Sequence, residues 1–131
     1  HVIPHVITSL MKDGKVTLLE NSKVNKRTFL HNIDSCAAVL AVADTDAALD
    51  GTVYNVATEQ EVSMIELVDV CAKAIGIEKP EIIFEGYRES DPQRRVLSAA
   101  KIKARTRWEP TITLEQGIKM CVDYRRQVEG K

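Results

Sequence analysis

Asn25-Lys26-Arg27-Thr28-Phe29-Leu30-His31-Asn32-Ile33-Asp34 is the stretch on which the fold reading turns. An arginine opens a short apolar run, and the run passes directly into the alanine-rich pattern Cys36-Ala37-Ala38-Val39-Leu40-Ala41. Arg27 to His31 reads as a strand, with Thr28 and Leu30 on one face and Phe29 on the other. Asn32 is then the N-cap of a helix over about 33–43, whose small residues allow close packing. An arginine fixed on a strand can present its fork of N–H donors to a phosphate. Taken alone, an arginine in such a place is more often a surface residue paired with a neighbouring carboxylate.

Working outward toward the N-terminus, Pro4 suits the first turn of a helix, where its missing N–H has no intrahelical partner anyway. Ile3, Val6, Ile7, Leu10 and Met11 follow at helical spacing, and Gly14 ends the element. Val16 to Leu19 reads as a strand and Glu20 to Lys26 as a polar loop. On the other side, Ala47 to Gly51 is a turn, and Thr52 to Val56 is a strand apolar enough to be central. Ser63 and Glu66 form a capping box for a helix with Ile65, Val68, Cys71, Ala72 and Ile75 on its apolar face, stopped by Gly76. Pro80 introduces a strand over Glu81 to Phe84. The polar loop Gly86 to Arg95 carries Arg88, Arg94 and Arg95. A helix over 98–106 follows, ended by Trp108-Glu109-Pro110. Thr113 and Gln116 box the start of a last helix over 114–126, with Leu114, Ile118, Cys121 and Val122 inward. The order α, β, β, α, β, α, β, α, α is that of a mixed α/β domain.

The 131 residues suffice for one domain with its own core. A formal net charge of −1 makes any anion site local and speaks against a nucleic-acid partner, which calls for a basic excess. The basic run through Lys101, Lys103, Arg105 and Arg107 is most simply the wet face of a helix. No apolar run has membrane-spanning length and no signal-peptide pattern opens the chain, so a cytoplasmic location without a membrane partner is expected. Cys36, Cys71 and Cys121 are three, widely spaced and set in apolar patterns, which suits buried reduced thiols better than disulfides or zinc. The chain starts at His1 and enters a helical pattern within four residues, as expected of a piece of a longer protein.

The six glycines never fall in a dinucleotide or P-loop spacing. No tyrosine is followed four residues later by a lysine, and no HExxH, paired acidic motif or nucleophile elbow occurs. The chain does not read as self-sufficient for catalysis. What remains is arginine: Arg27, together with Arg88, Arg94 and Arg95, can converge on a diphosphate. The commoner role for the last three is a solvated basic loop. Trp108 is more often a core plug than a ligand platform, and His31 more often a packed histidine than a ligand contact.

In order and spacing, these motifs resemble the C-terminal substrate-binding region of the NAD(P)-dependent nucleotide-sugar epimerases and dehydratases, the extended short-chain dehydrogenase/reductases. Val2-Ile3-Pro4, Lys15-Val16-Thr17-Leu18 and Arg27-Thr28-Phe29 with Asp34 are similar to successive family segments. So are Thr52-Val53-Tyr54-Asn55-Val56, Asp91-Pro92-Gln93-Arg94-Arg95, Trp108-Glu109-Pro110 and Leu114-Glu115-Gln116-Gly117. The sequence departs from the family pattern at Glu20 and Asn21, at Asn25 in place of Gln, at Ile33, at Ala57, at Ser98 and at Arg107. The resemblance implies a small mixed α/β substrate-binding domain over residues 1–131, without the Rossmann domain. It implies a UDP- or dTDP-sugar substrate whose diphosphate or nucleotide is held by Arg27 and Arg95, with Arg94 as alternative and Arg88 nearby. Thr17 and Leu18 would lie near the base. NAD or NADP, with the catalytic Tyr, Ser and Lys, would belong to an N-terminal Rossmann domain acting as partner. This chain alone would hold no cofactor and be inactive. A homodimer is a further expected partner. The rival reading is a non-catalytic interaction or oligomerisation module derived from the same family, with an apolar surface and a raw strand edge near Arg27 to Leu30.

Overall fold

Helix α1 (Val2–Asp13) carries Pro4 in its first turn and ends at Gly14, whose φ of 68° brings its N–H to the Leu10 carbonyl. Val6, Ile7 and Leu10 are its buried stripe. This is the computed structural model of the chain, describing residues 1–130. Strand β1 (Lys15–Leu18) follows at once and alternates, so Val16 and Leu18 face the core.

Among the described residues four short strands form two separate pairs. β1 runs parallel to β4 (Glu81–Phe84), with Lys15 opposite Glu81 and Leu18 opposite Phe84. Past the strands the two segments stay side by side. The Glu20 N–H donates to the Gly86 carbonyl at 2.8 Å, and the Lys26 N–H to the Gln93 carbonyl at 2.8 Å. Asn21, on a 3-10 turn, exchanges two hydrogen bonds with the Arg88 backbone, at 2.9 and 2.8 Å. Residues 15–27 are thus zipped to residues 81–94 at offsets of 64 to 68 residues. The second pair is β2 (Lys26–Arg27) antiparallel to β3 (Val62–Ser63).

Helices α3 (Met64–Ile75) and α5 (Leu114–Glu129) complete the main core around α1 and β1. Leu67, Val68 and Cys71 of α3 and Ile118 and Val122 of α5 are all buried in it. Burial of each aliphatic side chain contributes about 2 kcal/mol. Both expected capping boxes are present, Ser63 with Glu66 and Thr113 with Gln116. A smaller cluster joins Ala38 of α2 (Asn32–Ala43) to Ala99, to Ile102 of α4 (Ala100–Arg105) and to Trp108. Trp108 is the core plug its sequence context suggested, with Nε1–H donating to the Asp34 carbonyl at 2.9 Å.

The mixed α/β class stands, but several local expectations are corrected. The strand expected over Arg27 to His31 ends at Arg27, because its antiparallel partner pairs only over Val62–Ser63, and beyond it the Gln60 N–H goes to Thr58 Oγ1 at 3.3 Å instead of across the ladder. Thr52 to Val56 is not a strand; no segment among the described residues pairs with it, and Val53 is 81% exposed. Arg105 instead ties this region down, donating to Ala47, Asp50 and Thr52. The N-cap of α2 is His31 rather than Asn32, its Nδ1 accepting from the Ile33 N–H at 3.2 Å. The helix expected over 98–106 is shortened to Ala100–Arg105, and α5 runs on to Glu129, where Arg125 pairs with that carboxylate at 3.0 Å. Only Cys71 is buried; Cys36 and Cys121, like Ile65, are exposed, and Cys36 lies on the side of α2 opposite its buried residues Asp34 and Ala38.

Candidate functional site

The zipped ribbon ends in an open cleft of about 470 Å³ beside the N-terminal turns of α1. Thr17 and Leu18 of β1, Arg27 of β2, and Arg88 and Asp91 of the loop after β4 all line it. The structure therefore brings together four of the six residues singled out from the sequence. The other two lie outside the cleft lining. Arg94 is bound to Glu61 by two hydrogen bonds, at 2.7 and 2.9 Å, and this pairing holds the Glu61 carboxyl below the usual range. Arg95 is exposed on the same loop.

Arg27 is positioned from both sides of the ribbon. Its Nη2 meets Asp91 Oδ1 at 2.7 Å, while its Nη1 donates to the Lys26 carbonyl at 2.8 Å and the Gln93 carbonyl at 3.4 Å. The carboxylate-paired reading of this arginine thus holds, and the pair sits at the cleft rather than on open surface. The Nε–H and the second Nη2–H have no partner among the described residues. Those two N–H groups are what the arginine can offer a ligand.

Asp91 does more than neutralise Arg27. Its other oxygen, Oδ2, accepts from Asn25 Nδ2 at 2.6 Å. Asn25 is only 3% exposed, and its Oδ1 is the one buried side-chain polar atom without a partner among the described residues. Nearby, His5 Nε2–H donates to the Thr17 carbonyl at 2.9 Å, fixing the α1 wall against β1. The Asn21 bonds hold the backbone of Arg88, whose side chain remains exposed. The charged side chains of the lining, Arg27 and Arg88 against Glu85 and Asp91, cancel formally. Anion recognition here must come from directed donors rather than from a broad positive field.

Sequence reading passed over Asn21, Asn25 and Asp91 as site residues. The two asparagines stood only as departures within a loop, and Asp91 only as part of a motif. Their signal was there in kind: short amides and a carboxylate in turn-rich segments serve to bond neighbouring backbone and each other. Asp34 was likewise unassigned, although it is 1% exposed and bonded at both oxygens.

The residues present do not fit a dinucleotide cofactor. A dinucleotide cradle needs a glycine-rich turn leading from a parallel strand into a helix N-terminus. Here β1 is followed by Leu19 and a 3-10 turn beginning with Glu20, and β4 by a loop with no helix before α4. Among the described residues no group of three or more His, Cys, Asp or Glu side chains is placed to hold a metal ion. No helix among them is long and apolar enough to cross a membrane.

Residues 1–121 match the family model described as GDP-mannose 4,6 dehydratase. A low-salt glycan biosynthesis protein of Haloferax volcanii is 34% identical over 101 residues, which is 76% of this chain and 31% of that protein. The solved UDP-glucose 4-epimerase of Thermotoga maritima, in complex with UDP-glucose, is 25% identical, with a TM-score of 0.85 over 98% of this chain and 40% of its own. The dTDP-glucose 4,6-dehydratase of Bacillus anthracis, in complex with NAD, is 27% identical, with a TM-score of 0.82 over 99% of this chain and 40% of its own. The chain therefore spans about a third to two fifths of the length of these proteins.

Proposed function

The chain belongs to the GDP-mannose 4,6 dehydratase family, among the NAD-dependent nucleotide-sugar epimerases and dehydratases, and we propose that it binds the nucleotide-sugar substrate as the C-terminal part of such an enzyme. The substrate is of the UDP- or dTDP-sugar type. The observation that carries this reading is Arg27: its guanidinium is fixed at the cleft by three acceptors and keeps two N–H groups for a diphosphate oxygen. Arg88 adds a second cation at the cleft, and Thr17 and Leu18 form the wall against which the base lies. Arg95, exposed four residues past Asp91 on the same loop, is a further contact for the diphosphate, with Arg94, which is held by Glu61, as the alternative. Catalytic groups and NAD or NADP belong to an N-terminal Rossmann part, so this chain orients substrate without turning it over.

An apolar surface favours a second element of the reading. Val39 and Leu40 of α2 are 68% and 63% exposed, and Val53 is exposed within the segment that has no strand partner. Such a surface is an interface. The enzyme's own N-terminal part is its first occupant, and a second copy of this chain the alternative, which sedimentation of the isolated chain distinguishes.

Calorimetric titration with UDP-glucose and dTDP-glucose tests the substrate reading. Arg27→Ala should weaken binding by at least about tenfold, the scale of one charge-assisted bond. Arg88→Ala and Arg95→Ala should weaken it less. Binding that survives all three substitutions unchanged would refute the diphosphate site.

A further inference from the structure

Asn25 raises a question that anion binding leaves open. Its amide orientation is fixed by chemistry: the group facing Asp91 Oδ2 at 2.6 Å must be the NH2, since an oxygen there would oppose a carboxylate. The atom left over is therefore an acceptor, Oδ1, buried and unpartnered among the described residues, on a residue that lines the cleft. A buried acceptor without a donor is costly, and native structures keep one chiefly where function calls for it. A phosphate oxygen cannot satisfy it, because both groups only accept.

We propose that Asn25 is a specificity-determining residue that accepts a hydrogen bond from a neutral donor of the ligand, a hydroxyl or an imide N–H, beside the anion held at Arg27. The proposal rests on the nucleotide-sugar reading. Asp91 couples the two events, because one carboxylate holds Arg27 through Oδ1 and Asn25 through Oδ2. An anion on the two free N–H groups of Arg27 draws on the same guanidinium charge as Asp91 and weakens that pairing, which frees Asn25 to meet the ligand. A bare diphosphate engages the arginine alone. A ligand that also carries a donor at the right distance engages both, so the site distinguishes nucleotide sugars from simpler anions.

The test titrates the 131-residue chain and its Asn25→Leu variant with UDP-glucose, UDP, dTDP-glucose and the N3-methyluracil analogue of UDP-glucose. Wild type should bind UDP-glucose roughly tenfold more tightly than the variant does, the scale of one buried hydrogen bond. It should lose a similar factor for the one ligand that lacks the donor, while the variant does not discriminate. Loss with UDP assigns the donor to the hexose, with dTDP-glucose to the ribose 2′-hydroxyl, and with the N3-methyl analogue to the base. If the variant fails to fold, the wild-type panel and the Asn25 side-chain carbonyl 13C resonance decide, since that carbon should shift downfield with UDP-glucose and not with inorganic pyrophosphate. Equal affinity of wild type for all four ligands beside a weaker variant assigns the donor to the ribose 3′-hydroxyl, which all four carry. UDP-glucose binding with equal affinity in both proteins overturns the role of Asn25 and leaves the substrate reading standing. No binding by wild type to any of the four overturns both.

Discussion

Replacing Asp34 by asparagine is a severe test of how the two cores are joined. The carboxylate sits in the first turn of α2 and is 1% exposed. Oδ1 accepts from the Thr111 N–H at 3.0 Å and the Thr111 hydroxyl at 2.9 Å, and Oδ2 accepts from the Ile112 N–H at 2.9 Å. In Asp34→Asn the amide oxygen can keep the two Thr111 donors. The NH2 then faces the Ile112 N–H, donor against donor. One charge-assisted bond is lost, a buried N–H is orphaned, and the remaining bonds fall to neutral strength, in all about 3 kcal/mol. For a chain of this length that corresponds to a fall of about 10 °C in Tm. Far-UV circular dichroism follows the global transition. The emission of Trp108, the single tryptophan, follows the site itself, because its indole N–H binds the Asp34 carbonyl.

The pH dependence gives that prediction a sign. Burial pushes the Asp34 carboxyl up, but the bonds from Ile112 and Thr111 outweigh it and hold the group below its ordinary value of 3.8. A carboxyl lowered on folding contributes stability above its unfolded value and loses it as pH falls through the folded one. The gap between wild type and Asp34→Asn should therefore be full at pH 6 and shrink as pH falls below about 4. A loss under about 1 kcal/mol at pH 7, or a gap that grows in acid, would refute the reasoning.

Two further outcomes follow from named contacts. Burial, with a smaller contribution from Cys121, pushes the Cys71 thiol up to about 12, whereas Cys36 and Cys121 are exposed. An aromatic disulfide reagent at pH 8 should thus titrate two thiols in the native protein, and the third only in denaturant; three equivalents at one rate would contradict the packing. In α5, a Cβ at Gly117 would stand 3.0 Å from His31 Cδ2, and His31 caps α2. Gly117→Ala gains about 1 kcal/mol of helix propensity and displaces the cap, so its net stability change should stay within about 1 kcal/mol of zero while the His31 ring resonances move. A full propensity gain with unmoved His31 resonances would show that the contact does not matter.

The helices were legible in the sequence because their signals are local. Pro4 and Gly14 bracket α1, and Ser63 with Glu66 and Thr113 with Gln116 mark α3 and α5 within four residues each. Strands are different, since a strand exists only where another segment accepts its hydrogen bonds. Thr52 to Val56 has strand composition and no partner among the described residues, and residues 28–31 have no ladder partner beyond the two-residue pairing of Lys26–Arg27 with Val62–Ser63. The same limit governed the site. Arg27, Arg88, Thr17 and Leu18 were identifiable by residue type and motif, and they do share the cleft. The bonds from Asp91 to Arg27 and Asn25 cross 64 and 66 residues, and no local pattern announces them.

The nearly even offset of the ribbon bears on how the cleft comes into being. Bringing residues 15–27 to residues 81–94 closes a loop of about 66 residues, which costs about 4 kcal/mol in chain entropy beyond a constant. That cost falls on the first rung alone. Once Val16 lies beside Ile82, every later contact, through Asn21 with Arg88 to Arg27 with Asp91, joins points that are already neighbours. The two walls of the cleft are therefore not independent parts that dock. They close like a zipper, so the site is assembled cooperatively once one long-range contact has formed.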